Sequence, residues 1–156
     1  MGVVSADHIN PFLLSAAQII KQVCNLDIKI GKLIKDNLTV KGEPLFIILG
    51  ITGEITGQVS LVMEISVARE IASKMMMGAP VNEIDDMAKS ALSELGNMIM
   101  GNAATIFYNK EIHIDITPPT LGIGAVEMES PQATVFMVPL LYDGGEIDLN
   151  FLLKLA

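Results

Sequence analysis

The chain has 156 residues, 51% of them hydrophobic and 18% charged, with a formal net charge of −8 at pH 7. So apolar a composition excludes a disordered chain. The acidic balance, with Arg69 as the one arginine, excludes a nucleic-acid binder, which needs clustered cations on phosphates. The length suits one domain over residues 1–156, with its own core. No apolar run reaches the roughly 20 residues of a membrane-spanning helix, and no basic stretch precedes an apolar one at the start. With Cys24 as the single cysteine, no intrachain disulfide forms and the cytoplasm is the default compartment. The apolar excess points to a homo-oligomer that buries what one small domain leaves exposed.

Apolar residues at Ile9, Phe12, Leu13, Ala16, Ile19, Ile20 and Val23 recur at helical spacing. Ser5 or Asn10 caps this helix, with Pro11 in its first turn, where a missing donor costs nothing. Leu26–Ile34 alternates and reads as a strand. Leu45–Gly53 is a continuous run of β-formers and reads as a buried strand, turned by residues 53–57 into Gln58–Met63. Ser66 caps a short helix, Val67–Met77, that Gly78 and Pro80 stop. A long helix runs from Glu83 to Tyr108, with Asn82 as its cap and acidic residues in its first turn. Strands follow at Glu111–Ile116, Leu121–Val126, Thr134–Leu141 and Glu146–Leu153, with a hairpin turn at residues 143–145. The class is α+β with antiparallel pairing: two pseudo-duplicated halves, each a helix and a hairpin-containing sheet segment, with the long helices packed on the sheet.

The long helix carries the informative surface. Ile84, Met87, Ala88, Ala91, Leu92, Leu95, Met98, Ile99, Ala103 and Ile106 form one broad apolar face. Ser90, Glu94, Asn97 and Gly101 fall in an arc of roughly 60°, about 120° from the middle of that face. Glu94 and Asn97 therefore project together, one turn apart. A carboxylate pairs with a cation. An amide donates and accepts at once, so it orients a water while touching a phosphoryl oxygen. Neither is a nucleophile by itself, so the pair suits a site that a partner completes. The plain alternative is that both only solvate the helix. Gly101 leaves backbone bare for close approach, and it and Gly96 each cost up to about 1 kcal/mol inside a helix.

SELGNMIMGNA in this helix, preceded by Ser90 and followed by His113–Thr120 (HIDITPPT), resembles the CheX/CheC/FliY family of chemotaxis phosphatases. The family pattern is Asp or Ser, three residues, Glu, two residues, Asn, then a proline some twenty residues on, here Pro118 or Pro119. Ile51–Met63 and Ser73–Pro80 resemble the hairpin and short helix of CheX proteins. The first helix lacks Glu-x-x-Asn, so the single-site CheX type fits best, and such proteins form homodimers. The resemblance implies hydrolysis of the aspartyl phosphate on a CheY-like response regulator. In that reaction Glu94 pairs with the regulator's lysine, and Asn97 enters its active site to hold water in line with phosphorus. Mg²⁺ belongs to the regulator, and this chain needs no metal or cofactor of its own. Gly101 borders the contact, and Ser90 either borders it or only solvates the helix.

Other candidates read as structure. His113 and Asp115 share a strand face, but a metal needs more ligands. Cys24 is a small core residue with no base in view. Asn102 faces inward and reads as a hydrogen-bonded structural amide. Two rivals to the phosphatase remain: a binding module that docks a receiver domain or flagellar-switch component without turnover, and a structural dimer with a degenerate site.

Overall fold

The computed structural model describes residues 4–35, 43–124 and 135–156. The end of the expected strand at Leu121–Val126 and the start of that at Thr134 lie outside them. In chain order the elements are α1 (Ala6–Cys24), β1 (Lys29–Ile30), β2 (Ile34–Lys35), β3 (Leu45–Gly53), β4 (Ile55–Met63), α2 (Ile65–Met75), α3 (Asp86–Asn109), β5 (Ile114–Ile116), β6 (Thr120–Ile123), β7 (Val135–Tyr142) and β8 (Gly145–Leu155). All strands join one antiparallel sheet in the order β1-β7-β8-β4-β3-β5, with β2 also on β7 and β6 also on β3.

That order exposes the duplication. Each half is a long helix, two short strands and a long hairpin, and α2 links the halves. The short strands of the first half pair with the hairpin of the second, and those of the second half pair with the hairpin of the first. The two hairpins meet at the centre, where β4 and β8 pair from Ile55↔Leu155 to Val62↔Asp148. Neither half closes its sheet alone, so the halves share one core.

The helices bury one side of that sheet. Phe12 of α1 meets Phe107 of α3 edge-on at 5.1 Å between ring centroids, and meets Phe151 of β8 at 5.7 Å. All three rings are fully buried and tie both helices to the central strands. A polar seam joins α1 to α3 as well. The Ser15 hydroxyl donates to the Ile99 carbonyl at 2.5 Å, and the Asn102 amide donates to Ser15 Oγ at 3.0 Å and to Gln18 Oε1 at 3.2 Å. Asn102 is thus the structural amide its inward placement implies.

Local details depart from expectation for physical reasons. Helix α1 begins at Ala6, because Ser5 caps it and the Ser5 amide donates to His8 Nδ1 at 2.9 Å. Pro11 therefore lies in the second turn, inside the helix, where it removes a backbone bond to Asp7. The expected strand Leu26–Ile34 is two short pieces. Its partner β7 carries Pro139, which has no N–H for the ladder, and a Cβ at Gly31 would lie 2.6 Å from the proline ring. Helix α2 starts one residue after Glu64, not at Ser66. Helix α3 is capped by Asp85 rather than Asn82, since the Asp85 carboxylate accepts from the Ala88 amide at 2.9 Å. Strand β3 alternates between fully and partly buried positions, so the apolar run does not bury both its faces. Half-buried Phe46 and Ile48 lie on the side away from the helices.

Candidate functional site

Helix α3 is anchored by its inner face. Ala88, Leu92, Leu95, Gly96, Ile99, Met100, Ala103 and Phe107 are all buried. Gly96 allows the contact with β3: a Cβ there would lie 3.1 Å from Ile47 Cγ2 and 3.2 Å from Leu49 Cδ1. With that side seated on the sheet, the opposite side must face solvent. Ser90, Glu94, Asn97 and Gly101 are all exposed. Periodicity alone aligns these four residues, and the structure leaves that alignment uncovered.

Gly101 differs from Gly96. An added Cβ at Gly101 would meet nothing within 4 Å. The protein's own packing does not require glycine there, although glycine weakens a helix interior. The backbone at that point is open to solvent.

One assignment to the apolar face fails. Met87 is 70% exposed and lies on the outer side of α3, beside the Ser90–Gly101 stripe. Its position one turn ahead of Ser90 puts it there, and the apolar count of the helix hid it. Ile84 precedes the helix altogether.

The other titratable groups lie elsewhere. A cleft of about 570 Å³ opens at the start of α2, lined by Glu64, Ser66, Tyr142, Glu146 and Asp148, and shares no residue with the stripe. Burial, followed by the neighbouring Glu146, pushes the Asp148 carboxyl up to about 7. The Tyr142 phenol donates to Glu70 at 2.7 Å, and burial with that bond pushes its pKa up. Cys24 is buried, and burial pushes its thiol up to about 11, which makes it inert. His113 and Asp115 lie 3.6 Å apart and both are exposed. Among the described residues no three His, Cys, Asp or Glu side chains gather as metal ligands. No described helix is long and apolar enough to cross a membrane. Thr117, between β5 and β6, accepts at its hydroxyl from the Gly50 amide at 2.8 Å, and Pro118 and Pro119 lie in the break between these two strands, which follow one another along β3.

An exposed acid and amide thus lie together on the outer surface of a helix whose inner face is seated in a duplicated α+β core. The chain belongs to the chemotaxis phosphatase CheX family, whose model matches residues 45–141. It is 29% identical over 152 residues to the CheY-P phosphatase CheX of Thermotoga maritima, covering 97% of this chain and 98% of that one. Its fold matches a CheC-like superfamily protein from Shewanella with a TM-score of 0.84 at 23% identity, over 97% of this chain and 99% of the other. It also matches a chain of the CheX–CheY–BeF3–Mg²⁺ complex from Borrelia burgdorferi, with a TM-score of 0.80 at 28% identity, over 96% and 99% of the two chains.

Proposed function

We propose that this single-domain protein hydrolyses the aspartyl phosphate of a CheY-like response regulator, and that Glu94 and Asn97 carry the reaction. The observation that carries this reading is the joint exposure of Glu94 and Asn97 on the outer face of a helix whose inner face is fully packed. The phosphatase named among its relatives and the CheX–CheY complex among its structural neighbours support the substrate class.

The chemistry is positioning. An acyl phosphate is already electrophilic, and the charge that develops on its oxygens is met within the regulator, where Mg²⁺ resides in this reading. What is missing is a water held in line with phosphorus. The Asn97 carbonyl accepts from that water, while its amide N–H donates to a phosphoryl oxygen. The water oxygen bonds to phosphorus as the bond from phosphorus to the aspartyl oxygen breaks. Inorganic phosphate and a free carboxylate leave, and the water's proton passes to phosphate or solvent. Glu94, one turn earlier, pairs with the regulator's lysine and fixes the register of docking. Ser90 and Gly101 border the contact, and the bare backbone at Gly101 lets the partner approach. The chain adds no cofactor of its own.

The family resemblance also carries a homodimer. Exposed Ile30, Leu33 and Ile34, at the β1–β2 end of the sheet, support a partner on that edge. Sedimentation of the wild type and of Ile34→Lys tests it, a dimer that becomes monomer being the expected result.

The test of function is dephosphorylation of a phosphorylated, Mg²⁺-loaded CheY-like regulator from the same organism. Asn97→Ala should cut kcat by about 100-fold or more, with binding retained, since misplacing a reacting group costs that much. Glu94→Ala should weaken binding by roughly tenfold or more. A wild type that binds a regulator without accelerating its dephosphorylation would replace this reading by the docking module.

A further inference from the structure

We infer that Met87 and Tyr108 are apolar anchors at the two ends of the α3 stripe, which grip the rim of the regulator's receiver domain and set its affinity while Asn97 sets turnover. The inference rests on the functional reading above and extends it to the specificity of the same surface.

Both side chains are 70% exposed. At 100° per residue, Met87, Ser90, Glu94, Asn97, Gly101 and Tyr108 fall within an arc of about 80° on one side of the helix. At 1.5 Å per residue, Met87 lies about 15 Å before Asn97 along the axis, and Tyr108 about 16 Å after it. The polar pair and the bare glycine thus sit midway along a stripe with a large apolar side chain at each end. Scattered surface apolar residues need no explanation. These two share one line with the candidate catalytic pair and lie at nearly equal distances from Asn97. Other large apolar side chains of α3, such as Leu92, Ile99 and Phe107, are buried.

The geometry supplies the role. For Asn97 to enter a recess, α3 must lie across its mouth. A helix touching only at its middle would rock about that point, and the amide would lose the alignment on which the rate depends. Contacts on both sides of the recess stop the rocking. Methionine and tyrosine suit such contacts: the thioether adapts to an uneven surface, and the phenol buries a ring while its hydroxyl stays wet. Both types are enriched where proteins meet. The occupant is the receiver domain, because the stripe is continuous with the surface that must meet it. A second copy of this chain has the apolar β1–β2 edge instead.

The experiment measures KM and kcat with the phosphorylated regulator, Kd for the beryllofluoride- and Mg²⁺-bound regulator, and sedimentation of the phosphatase alone. The variants are Met87→Ala, Tyr108→Ala and the double variant, with Tyr108→Phe as the conservative change. Ile123→Ala, 47% exposed at β6, is the control. Each alanine variant should raise KM and Kd about tenfold. The double variant should raise them further, with kcat within about twofold of wild type. Tyr108→Phe should keep most of the affinity, and Ile123→Ala should match wild type. Unchanged KM and Kd in the alanine variants, with a working wild type and an inactive Asn97→Ala, would overturn the anchors and leave the functional reading intact. Conversion of a dimer to a monomer by either alanine would also overturn them, since the stripe would then belong to a second copy. A wild type that neither binds nor accelerates would remove both readings.

Discussion

Helices α1 and α3 hold equivalent places in the two halves, yet they face solvent differently. Both lie on the sheet, meet through Phe12 and Phe107, and are tied by Ser15 and Asn102. The outward side of α1 carries Asp7, Asn10, Leu14, Gln18 and Lys21, and no Glu-x-x-Asn within the body of the helix. The outward side of α3 carries Ser90, Glu94, Asn97 and Gly101. The inner faces are constrained alike by the shared core, whereas the outer faces are not, so their sequences can differ without disturbing the packing.

The sharpest way to break this comparison is to remove the amide of the Glu-x-x-Asn pair that α1 lacks. The large loss of kcat in Asn97→Ala, with binding kept, would show that the difference between the helices is catalytic. Loss of stability instead would show that it is structural. The next effect belongs to the inner face. Gly96→Ala pushes a methyl against Ile47 and Leu49, and should destabilise the fold by up to about 2 kcal/mol in a denaturant titration, net of the gain in helix propensity. The third reverses that sign one turn further on. Gly101→Ala meets no neighbour and improves helix propensity, so it should stabilise the fold by up to about 1 kcal/mol. The same change should raise KM for the regulator, as the added methyl stands where the partner approaches. A more stable variant with unaltered KM would show that nothing approaches Gly101.

The smallest effect concerns the cleft by α2, where a half-buried carboxylate lies away from the stripe. The Asp148 pKa is raised to about 7, so the folded state holds its proton where the unfolded state has lost it. That group's contribution is least unfavourable below the ordinary carboxylate range, and stability is lost as pH rises through about 7. Asp148→Asn removes the penalty. Its melting temperature should exceed the wild type's by more at pH 8 than at pH 5, with dephosphorylation unchanged. Part of the group is exposed, so solvent screening keeps the effect modest. A fall in activity would give the cleft a role beside the stripe.

Much of the fold was legible because it is periodic. Apolar spacing marks α1 and α3, and the Asp143–Gly145 turn and the glycine-flanked turn at Glu54 mark both hairpins. Caps were harder to read. Asn82 and Ser66 have suitable side chains, but Asp85 and Glu64 hold the cap positions, because the chain enters the helices from loops whose path local sequence does not encode. The strand at Leu26–Ile34 was misread for a non-local reason: the break is imposed by Pro139, more than a hundred residues away, through its missing N–H. Met87 was misplaced because methionine counts as apolar wherever it stands.

The sequence alone determined the class of the protein, the family resemblance and the alignment of Ser90, Glu94, Asn97 and Gly101. Those features depend on residue type and on the 3.6-residue period, which are local. Tertiary structure decided which side of α3 the sheet would cover, and so which residues remain free to meet a partner. It also assigned different roles to Gly96 and Gly101, and interleaved the two halves so that each completes the other's sheet. These outcomes depend on contacts between segments distant in the chain, which hydrophobic burial selects only when the whole core closes.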